Sequence, residues 1–147
     1  MSTVPMSEDL RAQRGGDRYV IDASVLVGAV NSVDVNHVAC YGFFMNHEDD
    51  TFVIPTLAYF EFQAAQSRIR REGRNAIREL YIPNAETYEI TQATLRRASQ
   101  LELPDKLSAL RGADLVYACV AALEGLPLVT NDRGFRAIEG HVRVVWV

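Results

Sequence analysis

Four acidic residues stand in apolar stretches of the sequence, where carboxylates are unusual: Asp22, Glu61, Asp114 and Asp132. Carboxylates that are brought together repel one another, and their pKa values rise unless cations separate them. Oxygen ligands of this kind suit hard divalent cations such as Mg²⁺, which often share their site with substrate phosphates. A cation held in this way can activate a water molecule and stabilise a leaving oxygen. The residue types therefore predict a site for metal-assisted hydrolysis.

Two of these acids follow apolar strands. Asp22 comes directly after Val20-Ile21, and Asp132 closes the run that includes Val129-Thr130. In open parallel sheets, ligands bind beyond the carboxyl ends of the strands, so both side chains are expected at the same edge. Each acid also has a purely structural alternative, because aspartate commonly caps a helix or occupies a turn.

The other two acids fall on predicted helices. Asp114 follows Gly112 and opens an apolar helix, whose N-terminus favours an anion whatever its function. Glu61 lies between Phe60 and Phe62, where an unpaired buried carboxylate would be costly. Its structural alternative is a salt bridge to an arginine. Each acid alone is ambiguous, and only the combination of all four favours a shared site.

Apolar periodicity outlines the elements that must position these acids. Strands are predicted at residues 19–21, 51–54, 126–130 and 142–146, and residues 87–90 fit either a strand or a loop. Helices are predicted at residues 23–30, 34–47, 56–72, 75–81, 91–102 and 113–124, with a short helix from Gly134. Short apolar strands that alternate with helices indicate an α/β fold with a parallel sheet covered on both faces.

Length and composition predict a single domain. The chain has 147 residues, of which 48% are hydrophobic, so it suits one core and is short for two domains. Residues 1–17 lack an apolar period and predict a mobile N-terminal tail, followed by one domain over residues 18–147. No apolar stretch reaches the roughly 18 residues of a membrane span, which predicts a cytoplasmic protein without membrane contact. Cys40 and Cys119 lack CxxC spacing and fit core positions rather than a disulfide.

Four segments together resemble the successive motifs of the PIN-domain family, and most closely those of VapC-type toxins from bacterial and archaeal toxin–antitoxin pairs. The segments are YVIDAS at 19–24, IPTL at 54–57 leading to Glu61, ADL at 113–115 and VTND at 129–132. The four acids follow one another at intervals of 39, 53 and 18 residues, which suit the family. The resemblance spans about residues 18–147 and implies a three-layer α/β/α sandwich around a central parallel sheet.

The resemblance also implies an endoribonuclease that depends on Mg²⁺ or Mn²⁺ and serves as the toxin of a type II toxin–antitoxin pair. The implied catalytic and metal-binding acids are Asp22, Glu61, Asp114 and Asp132. Ser24 would orient Asp22 or a bound water, while Asn131 and Thr130 would shape the same pocket. Gly134 departs from the family, since many relatives carry a further acid there, so one ordered ion is expected rather than two. The implied partners are RNA, a cognate antitoxin and a second copy of the chain in a homodimer.

Two surface features lack an assigned partner. Five arginines outweigh a single glutamate in one stretch: Arg68, Arg70, Arg71, Arg74 and Arg78. If the helix continued through Gly73, then Arg70, Arg74 and Arg78 would share one helical face. Such a face could bind RNA phosphates or an acidic partner, or it could simply be solvated. The stretch VACYGFFM at 38–45 is apolar nearly all around a helix. It is either a core helix or a surface for a second copy or an antitoxin.

Three alternative functions stay open within the resemblance. They are a catalytically silent PIN-like module that binds RNA or protein, a PIN nuclease of RNA maturation, and a DNA nuclease. Single residues exclude two other classes. A receiver-type phosphotransfer switch needs a lysine after a late strand, and the only lysine, Lys106, does not fit. A haloacid-dehalogenase phosphatase needs an aspartate where Ser24 stands. The net charge of −4 argues against a protein that coats nucleic acid through bulk electrostatics.

Overall fold

A computed structural model describes residues 16–77 and 79–147 of the chain. Its centre is a five-stranded parallel sheet, whose strands are β1 (Arg18–Ile21), β2 (Thr51–Pro55), β3 (Ala85–Tyr88), β4 (Leu128–Thr130) and β5 (Val144–Trp146). Their spatial order is β3-β2-β1-β4-β5, and every neighbouring pair is parallel. Helices flank this sheet, so the fold is the α/β/α sandwich that the sequence predicts.

Six α-helices are described in these ranges: α1 (Ala23–Val30), α2 (His37–Asn46), α3 (Thr56–Arg71), α4 (Gln92–Gln100), α5 (Asp105–Ser108) and α6 (Gly112–Glu124). A 3-10 helix spans Arg133–Ile138. The helices predicted at 23–30, 34–47, 56–72, 91–102 and 113–124 are confirmed, with ends shifted by at most three residues. None of the described helices is both long and apolar enough to cross a membrane.

The three inner strands, β1, β2 and β4, form the buried centre of the sheet. Val20, Ile21 and Val129 have no exposed surface, as expected for strands that are covered on both faces. Ile21 of β1 is in register with Val129 of β4. Asp22 follows the last residue of β1, and Thr130 is the last residue of β4, so the two residues are neighbours at this edge of the sheet. The Asp22 N–H donates to the Val129 carbonyl oxygen at 3.1 Å.

The helix predicted at residues 75–81 is wrong. α3 ends at Arg71, and Gly73 adopts a left-handed φ of 74° that interrupts the helical path. Residues 74–77 and 79–84 contain no helix, and the Gln66 side-chain oxygen instead accepts a hydrogen bond from the Ile77 N–H. Arg70 and Arg74 therefore do not share a helical face. Arg78 lies outside the described residues.

Smaller differences concern element ends. β4 begins at Leu128 rather than at 126, β5 begins at Val144 rather than at 142, and the ambiguous segment at 87–90 contributes to β3. The sequence did not predict α5, because four residues are too few for a helical period. Residues 1–15 of the predicted tail lie outside the described residues, while the Asp17 N–H already donates to Asp50 Oδ1 at 2.8 Å.

The first two helices approach each other most closely at Gly28. A Cβ atom on Gly28 of α1 would lie 2.6 Å from Cys40 Sγ of α2. Cys40 is fully buried, so its thiol fills the space that the glycine leaves. Cys40 and Cys119 are both free thiols, which confirms that they do not form a disulfide.

Gly28→Ala should destabilise the chain by about 1–3 kcal/mol, because the added methyl group overlaps the buried Cys40 thiol. Gly42→Ala in α2 is the matched control, since a Cβ atom there meets nothing within 4 Å. That control should gain about 0.5–1 kcal/mol from reduced chain entropy. Chemical denaturation of both variants measures the two effects, and an undiminished stability of Gly28→Ala would contradict the close approach of α1 and α2.

Candidate active site

An open cleft of about 300 Å³ lies where β1 and β4 end. Six of the seven residues that the sequence assigned to the site line this cleft: Asp22, Ser24, Glu61, Asp114, Asn131 and Asp132. The seventh, Thr130, is fully buried and does not line the cleft. The parallel strands bring Asp22 and Asp132 to one edge of the sheet. α3 contributes Glu61 and α6 contributes Asp114, so distant parts of the chain share one pocket.

Asp22 is firmly anchored at the floor of the cleft. Its side chain is 5% exposed, and its Oδ2 atom accepts hydrogen bonds from Ser24 Oγ and Thr130 Oγ1, each at 2.7 Å. Burial raises the pKa of Asp22, the hydrogen bonds from Thr130 and Ser24 oppose this rise, and the charge of Glu61 adds to it. Asp22 Oδ1 also accepts from the Ser24 N–H at 3.4 Å, so the helix-cap alternative is confirmed alongside the place in the cleft.

Asp132 is anchored through its backbone and its side chain. Its N–H donates to Thr130 Oγ1 at 2.9 Å, and its Oδ1 atom accepts from the Gly134 N–H at 2.9 Å. The turn alternative is therefore also confirmed, since Asp132 caps the 3-10 helix. The neighbouring Asn131 donates its side-chain N–H to Cys40 Sγ at 3.5 Å, which connects the cleft to α2.

Glu61 has a phenol as its partner, not an arginine. The Tyr117 hydroxyl of α6 donates a hydrogen bond to Glu61 Oε1 across the gap to α3. Burial raises the pKa of Tyr117, and the hydrogen bond to Glu61 and its charge raise it further. Within the described part of the chain, Glu61 forms no salt bridge, so the arginine alternative is wrong there.

Asp114 is the acid without an anchor. Its carboxylate has no hydrogen-bond partner among the described residues, although it lies in the first turn of α6. Burial raises the pKa of Asp114 to about 6, and the charges of Asp132, Asp22 and Glu61 contribute to the rise. The other three predicted acids therefore lie close enough to Asp114 for their charges to disfavour its ionised form.

The PIN domain model matches residues 19–140. The chain belongs to the PIN-domain family. The match includes all four acids of the cleft and lies inside the predicted domain over 18–147. PIN domains are generally nucleases, which supports a hydrolase acting on nucleic acid. No curated protein sequence matched the chain.

Three solved structures share the fold of this PIN domain. VapBC2 from Rickettsia felis, bound to a DNA fragment from their promoter, has a TM-score of 0.57 and 18% identity, and the match covers 88% of this chain and 98% of that chain. PAE2754 from Pyrobaculum aerophilum has a TM-score of 0.55 and 23% identity, and the match covers 89% of this chain and 91% of that chain. DNA-bound VapBC from Salmonella typhimurium has a TM-score of 0.51 and 16% identity, and the match covers 88% of this chain and 98% of that chain. At these identities the similarity establishes the fold.

The cleft residues suit a hard divalent cation by their chemistry. Five carboxylates line one pocket, the four predicted acids and Asp34. Burial and the charges of three neighbouring acids raise the pKa of Asp114, and a bound cation would favour its ionised form. Arg68 is the one basic side chain in the described lining, and no salt bridge joins it to these acids. Among the described residues, no three acidic, histidine or cysteine side chains already stand close enough to hold a metal ion.

The sequence missed several residues of the cleft. Asp34 and Asn36, from the loop between α1 and α2, line it, and Asp34 Oδ1 accepts from the Asn36 N–H at 2.7 Å. Asp34 had a detectable signal, since it stands between Val33 and Val35 as the other acids stand among apolar residues. Nothing in the sequence indicates that Tyr117 contacts a cleft acid, because a tyrosine in an apolar helix is expected to be an ordinary core residue.

Asp114→Asn should stabilise the metal-free chain at neutral pH, because the amide removes a charge that partial burial and the neighbouring acids both disfavour. The folded pKa of Asp114 is about 6 against an ordinary 3.8, so its carboxylate costs stability above pH 6 and this cost shrinks as the pH falls towards 3.8. Solvent screening and the favourable helix N-terminus reduce the effect, so we expect a gain of about 1 kcal/mol. Thermal unfolding in EDTA at both ends of this pH range measures it.

Asp105→Asn is the matched control for this measurement. Asp105 also lies in the first turn of a helix, but it is exposed and does not line the cleft. Its replacement should cost a few tenths of a kcal/mol at neutral pH, opposite in sign to the gain expected for Asp114→Asn. A destabilised Asp114→Asn at neutral pH, or a gain that persists unchanged at pH 3.8, would contradict repulsion within the cleft.

Proposed function

We propose that this PIN domain is an endoribonuclease that depends on Mg²⁺ or Mn²⁺, hydrolyses phosphodiester bonds in RNA and acts as the toxin of a type II toxin–antitoxin pair. One observation carries the proposal: the four acids of the PIN-like motifs line a single cleft, although they come from separate elements. A surface of solvated charges or helix caps would have no reason to concentrate like charges in one pocket. This concentration supports catalysis over a silent binding module.

Four acids would hold the cation: Asp22, Glu61, Asp114 and Asp132. When bound, the ion supplies a polarised water and neutralises charge on the phosphate. Asp22 is oriented in advance by Ser24 and Thr130, so it loses little side-chain freedom on binding. Asn131 is held by Cys40 and offers an amide at the wall of the cleft. Gly134 adds no further acid, which supports one ordered ion.

Arg68 supports RNA as the substrate. It lies on α3 two turns after Glu61, so both side chains line the same cleft. The guanidinium is exposed and has no ion-pair partner among the described residues, which leaves it free for an anion. An arginine beside a cation site is suited to a phosphate that neighbours the cleaved one.

An exposed apolar patch beside the cleft supports an antitoxin partner. Val33, Val35, Val38 and Tyr41 are 70%, 95%, 84% and 52% exposed. The patch adjoins the acid cleft, because Asp34 lies between its first two valines and lines that cleft. A partner segment with apolar side chains followed by a basic one would cover the patch and reach the acids. The homodimer implied by the resemblance stays a prediction.

Asp22→Asn and Asp114→Asn should each reduce RNA cleavage by more than about 100-fold, which exceeds the loss typical of residues that only support a ligand. Cleavage of a labelled single-stranded RNA in Mn²⁺ or Mg²⁺ measures the rate, and EDTA should stop it. Asp105→Asn is the matched control and should retain full activity, while circular dichroism checks that all variants are folded. Undiminished cleavage in both cleft variants would overturn the mechanism, and equal cleavage of the same DNA sequence would overturn the RNA preference.

The toxin role has a separate test in growing bacteria. Induced expression of the unaltered chain without a partner should slow growth, because cleaved RNA limits protein synthesis. Expression of Asp22→Asn to the same level should leave growth normal. Harmless expression of a soluble chain that cleaves RNA in vitro would contradict the toxin role and leave the nuclease proposal in place.

A further inference from the structure

Tyr117 is the buried side chain through which α6 contacts an acid of the cleft. The side chain has no exposed surface, and its hydroxyl donates to Glu61 Oε1. A phenol hydroxyl that is buried without a partner is costly, whereas a phenylalanine would fill almost the same volume at no such cost. The hydroxyl therefore needs Glu61, and Glu61 in turn is held by it.

The hydrogen bond from Tyr117 makes the two carboxylate oxygens of Glu61 different from each other. Oε1 accepts from Tyr117, while Oε2 has no hydrogen-bond partner within the described part of the chain. The same division occurs at Asp132, whose Oδ1 atom accepts from the Gly134 N–H. Glu61 has one more rotatable bond than an aspartate, so it has the most freedom to lose when it binds a ligand. An anchor on one oxygen reduces that loss.

We infer that Tyr117 is a positioning residue, whose hydroxyl fixes Glu61 through Oε1 and leaves Oε2 as the oxygen offered to a divalent cation. This inference rests on the proposed function, because it concerns the cation that the cleft acids would hold. Tyr117 follows Asp114 by three residues on α6, so one face of this helix carries both a cleft acid and the anchor of another. α6 thereby aligns Glu61 of α3 with Asp114.

Tyr117→Phe tests the inference through binding of Mn²⁺, measured by an electron paramagnetic resonance titration. We expect about 10-fold weaker binding, the lower end of the loss seen when the support of a metal ligand is removed. The melting temperature in EDTA should change by no more than about 3 °C, because the ring still fills its site. Tyr59→Phe is the matched control on α3: its hydroxyl accepts from Thr87 Oγ1 outside the cleft, so Mn²⁺ binding should not change.

A double-mutant cycle shows whether Tyr117 acts through Glu61. In a Glu61→Gln background, the further change Tyr117→Phe should alter the Mn²⁺ dissociation constant by less than about 2-fold. An equal loss in both backgrounds, unchanged or tighter binding in Tyr117→Phe, or a larger fall in melting temperature that accounts for the loss would each overturn the inference. If the unaltered chain bound no Mn²⁺, the metal dependence in the proposed function would fail as well, so the two failures are distinguishable.

Discussion

The Thr130 hydroxyl joins the two strand ends that form the floor of the cleft. It donates to Asp22 Oδ2 at 2.7 Å and accepts from the Asp132 N–H at 2.9 Å. A hydroxyl has a single hydrogen. Because the Thr130 hydroxyl donates that hydrogen to Asp22, only the lone pairs of its oxygen remain to accept from the Asp132 N–H, and this fixes the direction of the second hydrogen bond. Thr130 has no exposed surface, and the loss of either contact would leave a buried polar group unsatisfied. The relative position of two acids therefore depends on this one side chain, and it depends in turn on the register between β1 and β4.

Rigidity in the cleft decreases from the strands to the helices. Asp22 accepts three hydrogen bonds, Asp132 is held at two points, and Glu61 has one phenol partner. Asp114 has none among the described residues, and burial together with repulsion by the neighbouring acids raises its pKa. The rest of the fold must offset this repulsion, because like charges in a pocket destabilise the metal-free chain. The buried apolar residues of the inner strands and of α6 supply that stability.

Local signals in the sequence predicted most of the framework because the site is built at element ends. Short apolar runs in the sequence predict the buried strands. A glycine predicts the end of α6, because Gly125 adopts a left-handed φ of 62° that suits this residue. The prediction failed at residues 75–81, where alanine, isoleucine and arginine have helical propensity but Gly73 turns the chain away. The Gln66 side chain then takes the Ile77 N–H, a contact 11 residues apart that no local pattern reveals. Arg70 and Arg74 do not share a helical face, because the helix ends before Gly73.

By itself, the sequence determined which residue types the cleft contains and that two acids follow adjacent apolar strands, because strand burial and chain direction are local properties. The PIN-like motifs then named seven residues for the pocket, and six of them line the cleft. Only the tertiary structure decided how those acids are held. Tyr117, Thr130 and Cys40 take hydrogen-bonding roles through contacts that span 56, 108 and 91 residues. These contacts depend on the packing of α6 and α2 and on the strand register, so no local pattern in the sequence could reveal these hydrogen bonds.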